Sequence, residues 1–271
     1  MEDFSSFKLL SSLNIGIKMI FPIYNERALY LPQEKAIVIA DLHIGIEYEY
    51  ALQGVHIPSQ TSSLLDKIEN LLKRQRAEKL VILGDVKHII TASQGKEIMN
   101  KGGKEASYFL KKLDEIVDVF VVRGNHDGLL RSKKARIFGS EGIKFGDVAF
   151  AHGHAWPSED IMDARLLAIG HIHPHVEIKT KVGYSYLKPC WVRGKFKKKE
   201  FLERYEKGNE KMEFIIMPAF NPLCGGIAVN RDEIAGPLEK IMDFDNAYVY
   251  LLEGINLGRI SNLKKIFITD R

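Results

Sequence analysis

Seven residues able to hold a cation recur at the ends of short apolar runs. Ala36–Ala40 runs into Asp41 and His43, and Leu80–Leu83 runs through Gly84 into Asp85. Val119–Val122 leads to Asn125, His126 and Asp127. Val148–Ala151 stops at His152, and Leu166–Ile169 stops at His171 and His173. Asp41 and His43 are two residues apart at a strand end, so both side chains can point to the same side of an extended backbone. Asp85 follows a glycine, which lets the backbone approach closely, and its two oxygens can bridge two cations. Asn125 offers a neutral oxygen, and His43, His152, His171 and His173 offer imidazole nitrogens. Two carboxylates, an amide and four imidazoles exceed the needs of one four-coordinate zinc ion and suit two adjacent cations. The mixed nitrogen and oxygen set favours manganese, iron or zinc over magnesium or calcium, which prefer oxygen alone.

The elements that must position these residues follow from the same runs. Continuous apolar stretches of four or five residues are the pattern of strands buried on both faces. Between them, 59–76 places Leu64, Leu65, Ile68, Leu71 and Leu72 on one helical face, and 104–117 does the same with Ala106, Phe109, Leu110, Leu113 and Ile116. Alternating buried strands and amphipathic helices predict an α/β fold. Such sheets bind ligands beyond the carboxyl ends of their strands, where these seven residues fall. Before Ala36 the pattern predicts strands over 15–21 and 27–31 with a turn at Asn25. After Pro174 it predicts strands over 175–180, 184–193, 212–217 and 246–252, several of them antiparallel additions to a second sheet, and a helix near Lys197–Tyr205. No linker divides the chain, so residues 1–271 read as one domain.

Composition narrows the class. The chain has 271 residues, 45% hydrophobic and 27% charged, enough apolar material for a sizeable core. Its apolar runs are too short to span a bilayer, and the acidic Met1-Glu2-Asp3 start is unlike a signal peptide. Two cysteines, Cys190 and Cys224, make neither a disulfide framework nor a four-cysteine zinc site. The expectation is a cytoplasmic protein with no membrane partner. The net charge of +4 permits an anionic partner without requiring one.

Taken in order, Asp41-Leu42-His43, Gly84-Asp85, Gly124-Asn125-His126-Asp127, His152-Gly153-His154 and Gly170-His171-Ile172-His173 resemble the five motifs of the calcineurin-like metallophosphoesterases. The resemblance covers residues 36–173. It implies a four-layer α/β/β/α sandwich of two mixed sheets flanked by helices. It also implies two divalent metal ions, manganese first, with iron, zinc or nickel as alternatives. Asp41, His43 and His173 would hold one ion, Asn125, His152 and His171 the other, and Asp85 would bridge them. A hydroxide between the ions would attack phosphorus in line, with His126 stabilising the transition state or protonating the leaving oxygen.

The phosphatase branch of that family carries an aspartate three residues after the bridging one. Here His88 stands in that position, as in the SbcD-type repair nucleases, and it would contact substrate or position His126. The large nucleases continue into a capping domain, whereas about a hundred residues follow His173 here, some of them expected to complete the second sheet. The chain therefore resembles the short SbcD-related, ICC-like phosphoesterases, whose C-terminal signature is similar to Met217–Gly226. The implied activity is phosphodiester hydrolysis on nucleic acid, of the kind used in DNA repair. The alternatives are a small-molecule or nucleotide phosphodiesterase or phosphatase with the same site, or a non-catalytic metal-binding scaffold.

Other residues near the motifs have plainer readings. Arg131 and His154 are candidate substrate contacts, with Lys133, Lys134 and Arg136 either meeting backbone phosphates or forming a solvated face of a short helix. His154 and His175 flank the ligands. Asp127 reads as a helix cap. Trp156 and Trp191 read as core or rim, Lys195 and Lys197–Lys199 as a solvated run, and Cys224 as a structural thiol near the rim. The stretch 89–103, with Gly95, Gly102 and Gly103, reads either as a mobile loop beside the metals or as a plain connection.

Overall fold

The computed structural model describes residues 20–88, 96–180 and 182–268, with side chains left out at 96–100 and 266–268. The first sheet contains β1 (Phe21–Pro22), β2 (Leu29–Leu31), β3 (Ala36–Ala40), β4 (Lys79–Leu83), β5 (Asp118–Val122) and β6 (Arg136–Phe138), hydrogen-bonded in that order. Strands β3 to β6 are parallel and the first two antiparallel. Helices α1 (Ile46–Leu52) and α2 (Thr61–Gln75) connect β3 to β4, and α3 (Lys96–Leu113) lies between β4 and β5.

Burial on both faces explains the unbroken apolar runs. Ile37, Ile39, Leu80, Ile82, Val119 and Val121 pack against the faces of α2 and α3 that carry Leu64, Ile68, Leu71, Phe109 and Leu113. Their alternates Val38, Ala40, Val81, Leu83, Phe120 and Val122 pack instead against the second sheet. Each such aliphatic or aromatic side chain contributes about 1.5–3 kcal/mol on burial, so the strands hold their carboxyl ends rigidly.

The second sheet contains β7 (Ile143–Phe145), β8 (Val148–Ala151), β9 (Leu166–Ile169), β10 (Pro174–Lys179), β11 (Ser185–Lys195), β12 (Glu213–Ile216), β13 (Ile227–Ala228), β14 (Tyr248–Leu251) and β15 (Asn256–Arg259). Strands β8, β9 and β12 are parallel, and β11 returns antiparallel beside β12, β10 and β14. The outer face of this sheet is covered by a thinner layer: α4 (Lys198–Arg204), α5 (Ile260–Ile268) and the turns carrying Ile161, Met162, Leu238 and Ile241. The result is two mixed sheets face to face with helices outside both.

Several expectations need adjustment. Residues 96–103 are the start of a helix, not part of a loop, and 89–95 lie outside the described residues, as do 15–19 of the expected first strand. The helix ends at Leu113, which leaves Ile116 exposed beyond it instead of on the buried face. Arg131 to Lys134 form no helix. Trp191 is core, and Trp156 packs against the core with the Arg204 guanidinium 4.8 Å from its ring. None of the described helices is long and apolar enough to cross a membrane.

Candidate metal centre

Strands β3, β4, β5, β8 and β9 end on one rim, and the chain turns sharply at each. Asp41, His43, Asp85, His171 and His173 have φ of 55, 43, 49, 68 and 47°. Asp41 and His43 therefore do not share a face of an extended strand. The chain leaves β3 at Ala40, and both residues adopt the left-handed conformation that L side chains rarely take. Backbone hydrogen bonds hold the turn: Asp41 N donates to Gly84 O (3.2 Å), His43 N to Asp85 O (2.7 Å) and Ile44 N to Val86 O (2.9 Å).

The side chains converge. Nε2 of His43 lies 3.5 Å and Nε2 of His152 lies 3.3 Å from the same Asp85 oxygen, Oδ2. Nε2 of His173 is 3.4 Å from Asp41 Oδ1, and Asn125 Oδ1 is 3.2 Å from His152 Nε2. Donor atoms of Asp41, His43 and Asp85 form one compact group, and those of Asp85, His152 and His171 form another, with all atoms of each within 4.8 Å of one another. Asp41, Asp85 and His152 are fully or almost fully buried.

This set fits cations on three counts. His152 Nδ1 donates to Leu83 O (2.8 Å) and His173 Nδ1 donates to Gly225 O (3.0 Å), so in both rings Nε2 is the nitrogen turned to the centre. Nε2 of His43 is buried without a hydrogen-bond partner, an arrangement that costs free energy unless something occupies it. Two buried carboxylates stand among the imidazoles. Burial works against charge on every group here. Even so, the His152 hydrogen bond and the neighbouring imidazoles hold Asp85 below the usual carboxylate range. The Asp85 hydrogen bond and the charges of Asp41 and Asp85 hold His152 up to about 9. Burial pulls His43 down to about 3 and His171 to about 4.

His126 lies beside the centre. Its backbone N–H donates to Asp85 Oδ1 (2.8 Å), and its ring meets His43 edge-on (centroids 4.8 Å apart) and stacks on His88 (5.3 Å). Burial lowers its pKa, so the neutral imidazole dominates at neutral pH. His154 is half-buried, with its ring 5.1 Å from His152 and its Nδ1 unpartnered. Arg131 is exposed on the segment beyond His126 and is not drawn into the cluster. Asp127 caps no helix. Its carboxylate accepts from Gly124 N (2.9 Å), Val86 N (2.9 Å) and Lys87 N (3.4 Å), tying the loop after β5 to the loop after β4. Burial pushes its pKa up to about 6.

The 217–226 segment crosses the ends of both sheets. Phe220 N donates to Ala40 O (2.8 Å), Asn221 Nδ2 to Leu42 O (2.9 Å) and Met217 N to Ile169 O (2.8 Å), while Arg27 reaches Ala219 O (2.9 Å). Cys224 is buried there, and its thiol is held well above its ordinary pKa by burial. Nothing in the spacing of Arg27 or Glu49, which pairs with His88, marks them from sequence as part of the site.

Residues 35–206, well over half of the chain, match the family model described as calcineurin-like phosphoesterase. No curated protein sequence matches the chain. Among solved structures, the Pseudomonas putida nuclease MPE is similar, with a TM-score of 0.51 and 20% identity over 87% of this chain and 94% of that one. Yfce, a phosphoesterase from E. coli, has a TM-score of 0.36 and 15% identity over 83% of this chain and 97% of that one. At 20% identity the likeness to the nuclease is one of fold.

Proposed function

Because the chain belongs to the calcineurin-like phosphoesterase family and is thereby a metal-dependent phosphoesterase, we propose that it hydrolyses phosphodiester bonds with two divalent cations, nucleic acid being its substrate class. Asp41, His43 and His173 would hold one cation, Asn125, His152 and His171 the other, and Asp85, whose Oδ2 faces both His43 and His152, would be shared. Manganese suits this nitrogen and oxygen set. When bound, the cations would lower the pKa of a water and neutralise charge on the phosphate. His126, fixed by its backbone bond to Asp85 and by the flanking rings of His43 and His88, would donate a hydrogen bond to the phosphoryl group. Asp127 would keep the loops of Asp85 and Asn125 in register.

The observation that carries the diester reading is the residue at position 88. A histidine within the His43 and His126 ring cluster, in place of a carboxylate, leaves the space over the cations without an additional negative charge beside His126. Nucleic acid is favoured by the segment following His126, where Arg131, Lys133 and Lys134 are exposed and no acidic residue occurs from Gly128 to Ser140. The fold neighbour described as a nuclease agrees with this reading.

The test is product formation from end-labelled single- and double-stranded DNA with manganese, beside a chromogenic phosphodiester and a phosphomonoester. A chelator and His126→Ala serve as controls. Cleavage of DNA that both controls abolish is the expected result, with a rate that falls steeply with salt. Hydrolysis of the small diester with DNA left intact would refute the nucleic-acid class and move the search to nucleotides and other small phosphodiesters.

A further inference from the structure

Glu49 lies six residues after His43 in the chain, on α1, and its carboxylate accepts a hydrogen bond from Nε2 of His88. The opposite nitrogen of His88, Nδ1, is 3.1 Å from Nδ1 of His43. We propose that Glu49 is a positioning residue which, acting through His88, fixes the proton on Nδ1 of His43 and so presents the Nε2 lone pair of His43 to a cation. The proposal rests on the reading that His43 is a metal ligand.

With both imidazoles neutral, these two contacts permit one arrangement. A carboxylate only accepts, so the proton on His88 sits on Nε2. In a neutral imidazole the other nitrogen is then an acceptor, and His43 Nδ1 must donate to it. That leaves Nε2 of His43 as a lone pair. It is the buried nitrogen that lacks a hydrogen-bond partner and lies 3.5 Å from Asp85 Oδ2. The chain is held by backbone as well: His88 N donates to Ile44 O (2.9 Å), Ile44 N to Val86 O (2.9 Å) and Ile46 N to His43 O (3.0 Å). Both ring nitrogens of His88 are thereby engaged within the protein. His88 then orients a ligand, and the carboxylate missing from position 88 is restored one imidazole further out.

Two measurements test this. Histidine 15N shifts of the metal-free protein should show His88 as the Nε2–H tautomer and His43 as the Nδ1–H tautomer, and in Glu49→Ala this preference should be lost. Calorimetric titration with Mn2+ should show two binding events in the wild type. Glu49→Ala should weaken one of them by about 10- to 100-fold, the range for loss of a partner behind a ligand, and leave the other unchanged. Glu49→Gln should stay close to wild type, because its amide oxygen accepts the same proton. Wild-type binding in Glu49→Ala, or equal losses in Ala and Gln, would overturn the positioning role. If the wild type binds no Mn2+ while the tautomers are as stated, the ligand reading of His43 fails, and Glu49 with it. Circular dichroism of each variant checks that the fold is intact.

Discussion

Two adjacent glycines should respond oppositely to the same substitution. A Cβ on Gly226 would lie 1.7 Å from Nδ1 of His175 and 2.2 Å from the carbonyl oxygen of His173, whereas one on Gly225 would meet nothing within 4 Å. The carbonyl cannot move aside cheaply, because it accepts from Ile227 N (3.2 Å) and from His175 Nδ1 (2.9 Å). Gly226→Ala must therefore push β13 away from the start of β10. Overpacking of this kind costs about 1–3 kcal/mol. The His173 Nδ1 bond to Gly225 O (3.0 Å) and the His175 bond would also be strained or lost, at about 1 kcal/mol each. The expected loss is roughly 3–5 kcal/mol, which for a chain of this size lowers Tm by about 10 °C. Freed from Gly225 O, the His173 imidazole should also lose orientation, weakening the cation it would hold by about 10- to 100-fold. Thermal unfolding of the metal-free variants, followed by Mn2+ titration, measures both effects. Gly225→Ala should match the wild type. A Gly226→Ala variant within 1 kcal/mol of wild type and binding metal normally would refute the close approach.

Asp127→Ala should leave the backbone N–H groups of Val86, Gly124 and Lys87 without their acceptor. A loss of about 2–4 kcal/mol in urea unfolding is expected, and an unchanged midpoint would reject the bracing role. His152, held up to about 9 in the metal-free protein, carries a proton at neutral pH that a cation at Nε2 must displace. Metal affinity should rise about tenfold per pH unit between 7 and 9 and then flatten, and titration in buffers of different ionisation heat should show at least one proton released. In the metal-free protein the same imidazolium contributes stability that is fully present below its unfolded pKa of about 6.5 and lost as pH rises through 9. Affinity independent of pH over that window would contradict the assignment.

The parts of the site legible in the sequence are those set by local rules. Strands buried on both faces show as unbroken apolar runs, and the residues that stop them, Asp41, Asp85, His152 and His171, gather on one rim because parallel strands share a carboxyl end. What stayed hidden depends on contacts between distant segments. The first two turns of α3 read as a loop because Gly102 and Gly103 each cost a helix about 1 kcal/mol. Yet Gly45 at the start of α1 approaches so closely that a Cβ there would lie 3.0 Å from Gly102 Cα, so the glycine serves packing. Asp127 looks like a helix cap because it precedes a glycine and an apolar pair, but its acceptor oxygens are used across loops 40 residues apart. Glu49 has the appearance of any acidic residue on a short helix. Its partner is 39 residues away, and no periodicity records that.

The strained turns tie the fold to the chemistry. Of the nine non-glycine residues with positive φ among the described residues, five are the proposed ligands Asp41, His43, Asp85, His171 and His173. At about 1–2 kcal/mol for each left-handed L residue, these turns cost roughly 5–10 kcal/mol, comparable to the whole net stability of a typical domain. Such strain persists only where the surroundings over-determine it. Here they do so on both sides of each turn. The strands β3 and β4 are clamped between the second sheet and a helical layer, and the carboxylates of Asp41 and Asp85 accept backbone N–H groups from the opposing turns: His171 N to Asp41 (3.0 and 3.1 Å) and His126 N to Asp85 (2.8 Å). The donor atoms thus stand in place before any cation arrives, and binding need not order them. The metal-free protein should accordingly remain folded, with cations raising its unfolding temperature through preferential binding to the native state. A centre that assembled only on metal binding would have no cause to concentrate its backbone strain at its own ligands.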